Sequence, residues 1–65
     1  MLALYDVVKL KNPEPSLGLT VENIGFVIDI LNNGKAYVIE FIDSDGNTIE
    51  DSLFVDFTED QLIKQ

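Results

Sequence analysis

The chain contains no cysteine, histidine, tryptophan or arginine. Without thiols or imidazoles it has no disulfide framework and no thiolate or histidine ligand for zinc or haem. Ser–His and Cys–His nucleophiles are excluded for the same reason. Positive charge is also scarce: Lys9, Lys11, Lys35 and Lys64 are the only cationic side chains against 12 carboxylates, for a net charge of −8. Between Ala36 and Ile63 there is no cation at all. Such a surface repels nucleic-acid phosphate and anionic membrane and steers a basic protein partner. Acidity of this kind also serves simply to keep a small protein in solution. No apolar run approaches the roughly 20 residues of a membrane span. Met1 to Asp6 lack the basic start and long apolar core of a signal peptide, so a cytoplasmic location is the expectation. The four glycines, at 18, 25, 34 and 46, read as one per turn and form no phosphate-binding loop.

What is present is apolar: 46% of the 65 residues. They make one domain, 1–65, and a chain of that length buries only about 60% of its unfolded surface. With disulfides and metals closed as routes to stability, the apolar excess suggests that some side chains belong to an interface.

Ala36 to Ile42 is the clearest strand, with Asn32-Asn33-Gly34 before it and Asp43-Ser44-Asp45-Gly46 after it as turns. Period-two alternation assigns Tyr37, Ile39 and Phe41 to the core and turns Ala36, Val38, Glu40 and Ile42 outward. A first strand is expected over Leu4–Leu10, then a proline-broken loop, Lys11 to Gly18. Phe26–Leu31 forms the next strand, with Val27, Asp29 and Leu31 outward and Phe26, Ile28 and Ile30 on the opposite face. Thr48–Phe57 reads as a strand with Ile49, Leu53, Val55 and Phe57 inward, Glu50, Ser52, Phe54 and Asp56 outward, and a bulge at Asp51. Thr58-Glu59-Asp60-Gln61 has capping-box spacing, which predicts one helical or 3₁₀ turn that places Leu62. A short last strand beside the first follows from Ile63. Short strands punctuated by glycine turns argue for a small closed barrel or a curled sheet.

The order Leu4-Tyr5-Asp6-Val7-Val8, Gly18-Leu19, Ile24-Gly25, Ala36-Tyr37, Glu40-Phe41 and Asp43-Ser44-Asp45-Gly46 resembles the short bacterial proteins of domain-of-unknown-function family 4926. The resemblance spans Leu4 to Leu62. It implies an all-β fold, a small five-stranded SH3-like barrel, with no established activity. Members resemble genes found beside a second small gene in toxin–antitoxin-like arrangements, which implies a protein partner. Basic residues usual before Gly25 and near the C-terminus are replaced here by Glu22-Asn23 and Asp60-Gln61, which sharpens the acidity.

Asp43 to Asn47 invites a hard cation, but with Gly46 in the sixth position of an EF-hand loop, Ser52 stands where the twelfth-position glutamate belongs. A tight turn accounts for these residues without a metal. Glu40 with Glu50 or Asp51 offers an acid–base pair in principle, but nothing indicates a pocket, and solvated carboxylates on an outer face account for them better. Basic patches for RNA are missing. The expectation is therefore a non-enzymatic interaction module without cofactors, antitoxin-like or immunity-like, binding a basic protein. Its predicted contact residues are Val27, Asp29, Leu31, Val38, Glu40, Ile42, Glu50, Phe54 and Asp56. An accessory subunit of a larger complex or a homodimer through the same residues are the alternatives.

Overall fold

The turn after Leu31 sets up the longest hairpin of the chain. Asn32, Asn33 and Gly34 all adopt positive φ, at 50°, 58° and 90°, a conformation open to asparagine and glycine but costly for most side chains. The computed structural model describes residues 1–65. It contains five strands: β1 (Val7–Leu10), β2 (Ile24–Leu31), β3 (Ala36–Ile42), β4 (Asp56–Phe57) and β5 (Leu62–Lys64). They form one antiparallel sheet in the order β4-β3-β2-β1-β5. No helix is long and apolar enough to cross a membrane.

The all-β, five-stranded expectation holds, but the closed barrel does not form. A flat sheet would separate β4 from β5 by four strand spacings, about 19 Å. The connection between them, Thr58 to Gln61, runs largely through a 3₁₀ turn at about 2 Å per residue and cannot span that distance. The sheet therefore curls until Phe57 and Leu62 share one core. It stops short of closure because β4 has two residues and makes no ladder with β5. The Thr58 amide, immediately after β4, donates instead to the Gln61 side chain at 2.8 Å. That is the capping interaction anticipated from the spacing, and β5 then pairs with β1 as expected.

Tyr37, Ile39 and Phe41 point inward and are fully buried. Phe41 meets Phe57 edge to face, with ring centroids 5.4 Å apart and planes at 71°, a geometry worth roughly 1 kcal/mol beyond the area it buries. Leu19 and Leu17 come from the proline loop, which is an ordered element: Pro15–Leu17 form a 3₁₀ turn closed by the Glu14–Leu19 bridge. Both leucines pack on the main core.

Three local expectations need correction. The first strand begins at Val7, not Leu4, because Ala3 to Asp6 form a turn in which the Asp6 amide donates to the Ala3 carbonyl at 3.1 Å. The long fourth strand is absent as well. Glu50–Phe54 coil into a 3₁₀ helix in which both the Ser52 amide (3.1 Å) and its hydroxyl (2.7 Å) donate to the Ile49 carbonyl. Short polar side chains that bond their own backbone compete with the ladder, and Ser52 is buried rather than outward.

Gly25 is the third correction, because it belongs to β2 and not to a turn. A Cβ there would lie 2.6 Å from Ile39 Cγ2 and 2.7 Å from Phe41 Cε1. Glycine leaves the space that the two buried side chains of β3 fill. Gly25→Ala is expected to destabilise the fold by about 1–3 kcal/mol through overpacking. Thermal unfolding checks this, and an unchanged midpoint would contradict the packing.

Candidate functional site

The inner face of the sheet is packed and the outer face is not, so any binding site made by the strands lies outside. Which residues reach it is decided by a bulge. In β2, Val27 pairs with Ile39 and Asp29 pairs with Val38, leaving Ile28 as an extra residue. Alternation therefore changes phase at Ile28. Before it, Phe26 points outward opposite Glu40, while Gly25 and Val27 point inward. After it, Ile30 turns inward opposite Tyr37, and Asp29 and Leu31 turn outward.

The predicted contact residues divide accordingly. Val27 is fully buried and belongs to the core. Glu50 and Phe54 sit on the 3₁₀ helix, off the strands, although Phe54 is 85% exposed. The other six share the outer face. Asp56, Val38 and Asp29 form one row across β4, β3 and β2. Glu40 stands opposite Phe26, Ile42 opposite Ile24, and Leu31 opposite Ala36.

Strict alternation through β2 missed the apolar centre of this face. Phe26 is flanked by Val7 on β1, and with Ile24 and Ile42 these side chains form a continuous patch across three strands. Val7 and Ile24 are exposed, and Phe26 and Ile42 are half-buried. Nothing in Phe26 to Leu31 itself marks the bulge, since Phe26, Ile28 and Ile30 alternate as they would in a regular strand. Its position was not legible.

The carboxylates beside the patch are not neutralised within the chain. The three ion pairs involve other carboxylates: the Met1 nitrogen with Glu59 (3.1 Å), Lys64 with Asp6 (3.6 Å) and Lys9 with Glu22 (4.0 Å), Lys9 standing on the outer face two residues after Val7. Glu40 accepts a hydrogen bond from the Thr48 hydroxyl at 2.7 Å, and Asp29 accepts one from the Ile30 amide at 2.8 Å. Neither of these, nor Asp56, forms an ion pair within the chain. The arrangement can attract a cation-bearing surface and then bury apolar area against it.

A cleft of about 560 Å³ opens between the 18–24 loop and the hairpin after β3. Its polar groups hold the loops together. Asn23 Oδ1 accepts from the Thr20 amide at 2.7 Å, and its Nδ2 donates to the Ile42 carbonyl at 3.1 Å. Asp43 Oδ1 accepts from the amides of Asp45 and Asn47, each at 2.9 Å, which gives that carboxylate a turn-forming role.

Comparison with known proteins adds one match. The family model described as a domain of unknown function, DUF4926, covers residues 4–64. No curated protein and no solved structure matches the chain.

The assignment of faces has a direct consequence for stability. Val27→Ala is expected to cost about 2 kcal/mol, because two fully buried methyl groups are lost. Ile24→Thr on the outer face is expected to cost about 0.5 kcal/mol or less. Chemical denaturation of the two variants checks the contrast, and equal losses would contradict it.

Proposed function

The chain belongs to the DUF4926 family, whose description names no activity, and from the outer face of its sheet we propose a non-enzymatic module that binds a basic protein. The observation that carries this reading is the pairing of an uncovered apolar patch with unneutralised carboxylates on the same face. Val7, Ile24, Phe26 and Ile42 supply the apolar area, and Asp29, Glu40 and Asp56 supply the charge. An apolar centre with a polar rim is how protein interfaces are commonly built. The carboxylates steer a cationic partner during encounter, and burial of the patch then slows its release.

An antitoxin-like or immunity-like role, in which the face occludes a basic partner, is the specific form we favour, with the cytoplasm as its place. Self-association through this face is disfavoured electrostatically. Two copies would bring carboxylate rows together, and like charges across an interface cost several kcal/mol. An accessory subunit held by the same face would use the same contacts.

The test uses Val38, which stands directly between Asp56 and Asp29. Val38→Lys places a cation within reach of both carboxylates, so folding is expected to survive while the attraction for a basic partner falls. The isotopically labelled chain is titrated with a synthetic leucine–lysine amphipathic helical peptide, and with a leucine–glutamate peptide as control. Amide shifts confined to the outer face, lost at high salt and lost in Val38→Lys, are the expected result. Equal response to both peptides, or shifts centred on Thr20, Asn23, Asp43 and Ser44, which line the cleft and not the patch, would overturn the assignment.

A further inference from the structure

Beside the outer face, one residue holds a backbone conformation that its side chain disfavours. Tyr5 has φ of 69°, the left-handed region that suits glycine. It is the third residue of the Ala3–Asp6 turn, a position that calls for glycine or asparagine when φ is positive there. The Tyr5 amide donates to the Val27 carbonyl at 2.7 Å, and the Val27 amide donates to the Asp6 carbonyl at 3.0 Å. Val27 is thus bracketed by Tyr5 and Asp6, the residues that lead from the turn into β1.

Nothing in the fold rewards the ring for this strain. Tyr5 is 77% exposed. Val7, two residues on, belongs to the patch described above and is 36% exposed, and Ile28, next to Val27 on β2, is 39% exposed. A strained, exposed aromatic beside an uncovered apolar face is better explained by contact with another molecule than by folding.

We propose that Tyr5 is the aromatic anchor by which this face grips its basic protein partner, its ring packing on the partner's apolar surface or under a lysine or arginine. Tyrosine is well suited to this role, since it contributes a large, stiff contact area and a polar tip. A cation over the ring gains further attraction. This rests on the reading of the outer face as a binding surface for a basic protein.

The experiment measures thermal unfolding and leucine–lysine peptide affinity for the parent chain, Tyr5→Gly, Tyr5→Asn, Tyr5→Phe and Val38→Lys. Glycine and asparagine both accept the left-handed conformation. For Tyr5→Gly and Tyr5→Asn the unfolding midpoint is therefore expected to hold or to rise by a few degrees, while affinity falls about tenfold or more. Tyr5→Phe keeps the affinity. Parent-like binding by Tyr5→Gly and Tyr5→Asn, with binding lost in Val38→Lys, would overturn the anchor and leave the face standing. A midpoint that falls together with affinity in both variants would overturn it too, by showing that the ring serves the fold. Absence of peptide binding by the parent chain would overturn the face and the anchor together.

Discussion

The extra residue at Ile28 is the constraint on which the rest of this molecule depends. One inserted residue in the central hairpin exchanges the faces of β2 partway along its length. On the inner side this keeps Val27 opposite Ile39 and Ile30 opposite Tyr37, so the core stays continuous on both sides of the irregularity. On the outer side it separates the surface into two districts. Phe26 and Ile24 lie before the bulge in an apolar patch, and Asp29 lies after it in line with Val38 and Asp56. Without the bulge, Asp29 would share the inner face with Val27, where a carboxylate would be buried without a partner at a cost of several kcal/mol.

The packed side is completed from the ends of the chain. Tyr37 is fully buried, yet its hydroxyl accepts a hydrogen bond from the Leu2 amide at 3.1 Å and reaches Glu59 at 3.5 Å. One phenol thereby ties the N-terminal arm to the 3₁₀ turn before β5. Met1 lies over Gly34, where an added Cβ would meet its sulfur at 3.0 Å. In a sheet that curls without closing, these contacts do what a further ladder would do in a barrel: they seal the core.

Much of the fold was legible in the sequence because it rests on local rules. The Asn-Asn-Gly turn, the inward row of Tyr37, Ile39 and Phe41, the Thr58–Gln61 cap and the pairing of the last strand with the first all follow from turn chemistry and alternation. What failed was decided by contacts between distant residues. Gly25 reads as a turn glycine until Ile39 and Phe41 are seen to need its space. Glu50 to Phe54 alternate well enough for a strand, but Ser52 closes a local turn. Val27 was misassigned because a period-two rule carries no information about where it breaks. Leu31, Val38 and Ile42 did prove to be outward, so part of the candidate surface was visible while its apolar centre, Phe26 with Val7 and Ile24, was not.

The central claim is that the outer face stands open to solvent while its immediate sequence neighbours are sealed inside, and that a basic partner covers it. The lack of native cysteine makes this directly measurable. Single Ile24→Cys and Val27→Cys variants are labelled with a thiol reagent in the folded state, with and without the leucine–lysine peptide. The account predicts rapid labelling at position 24 that slows when the peptide is added, and labelling at position 27 limited by unfolding. Protection of position 24 in the free chain, or equal rates at the two positions, would contradict it.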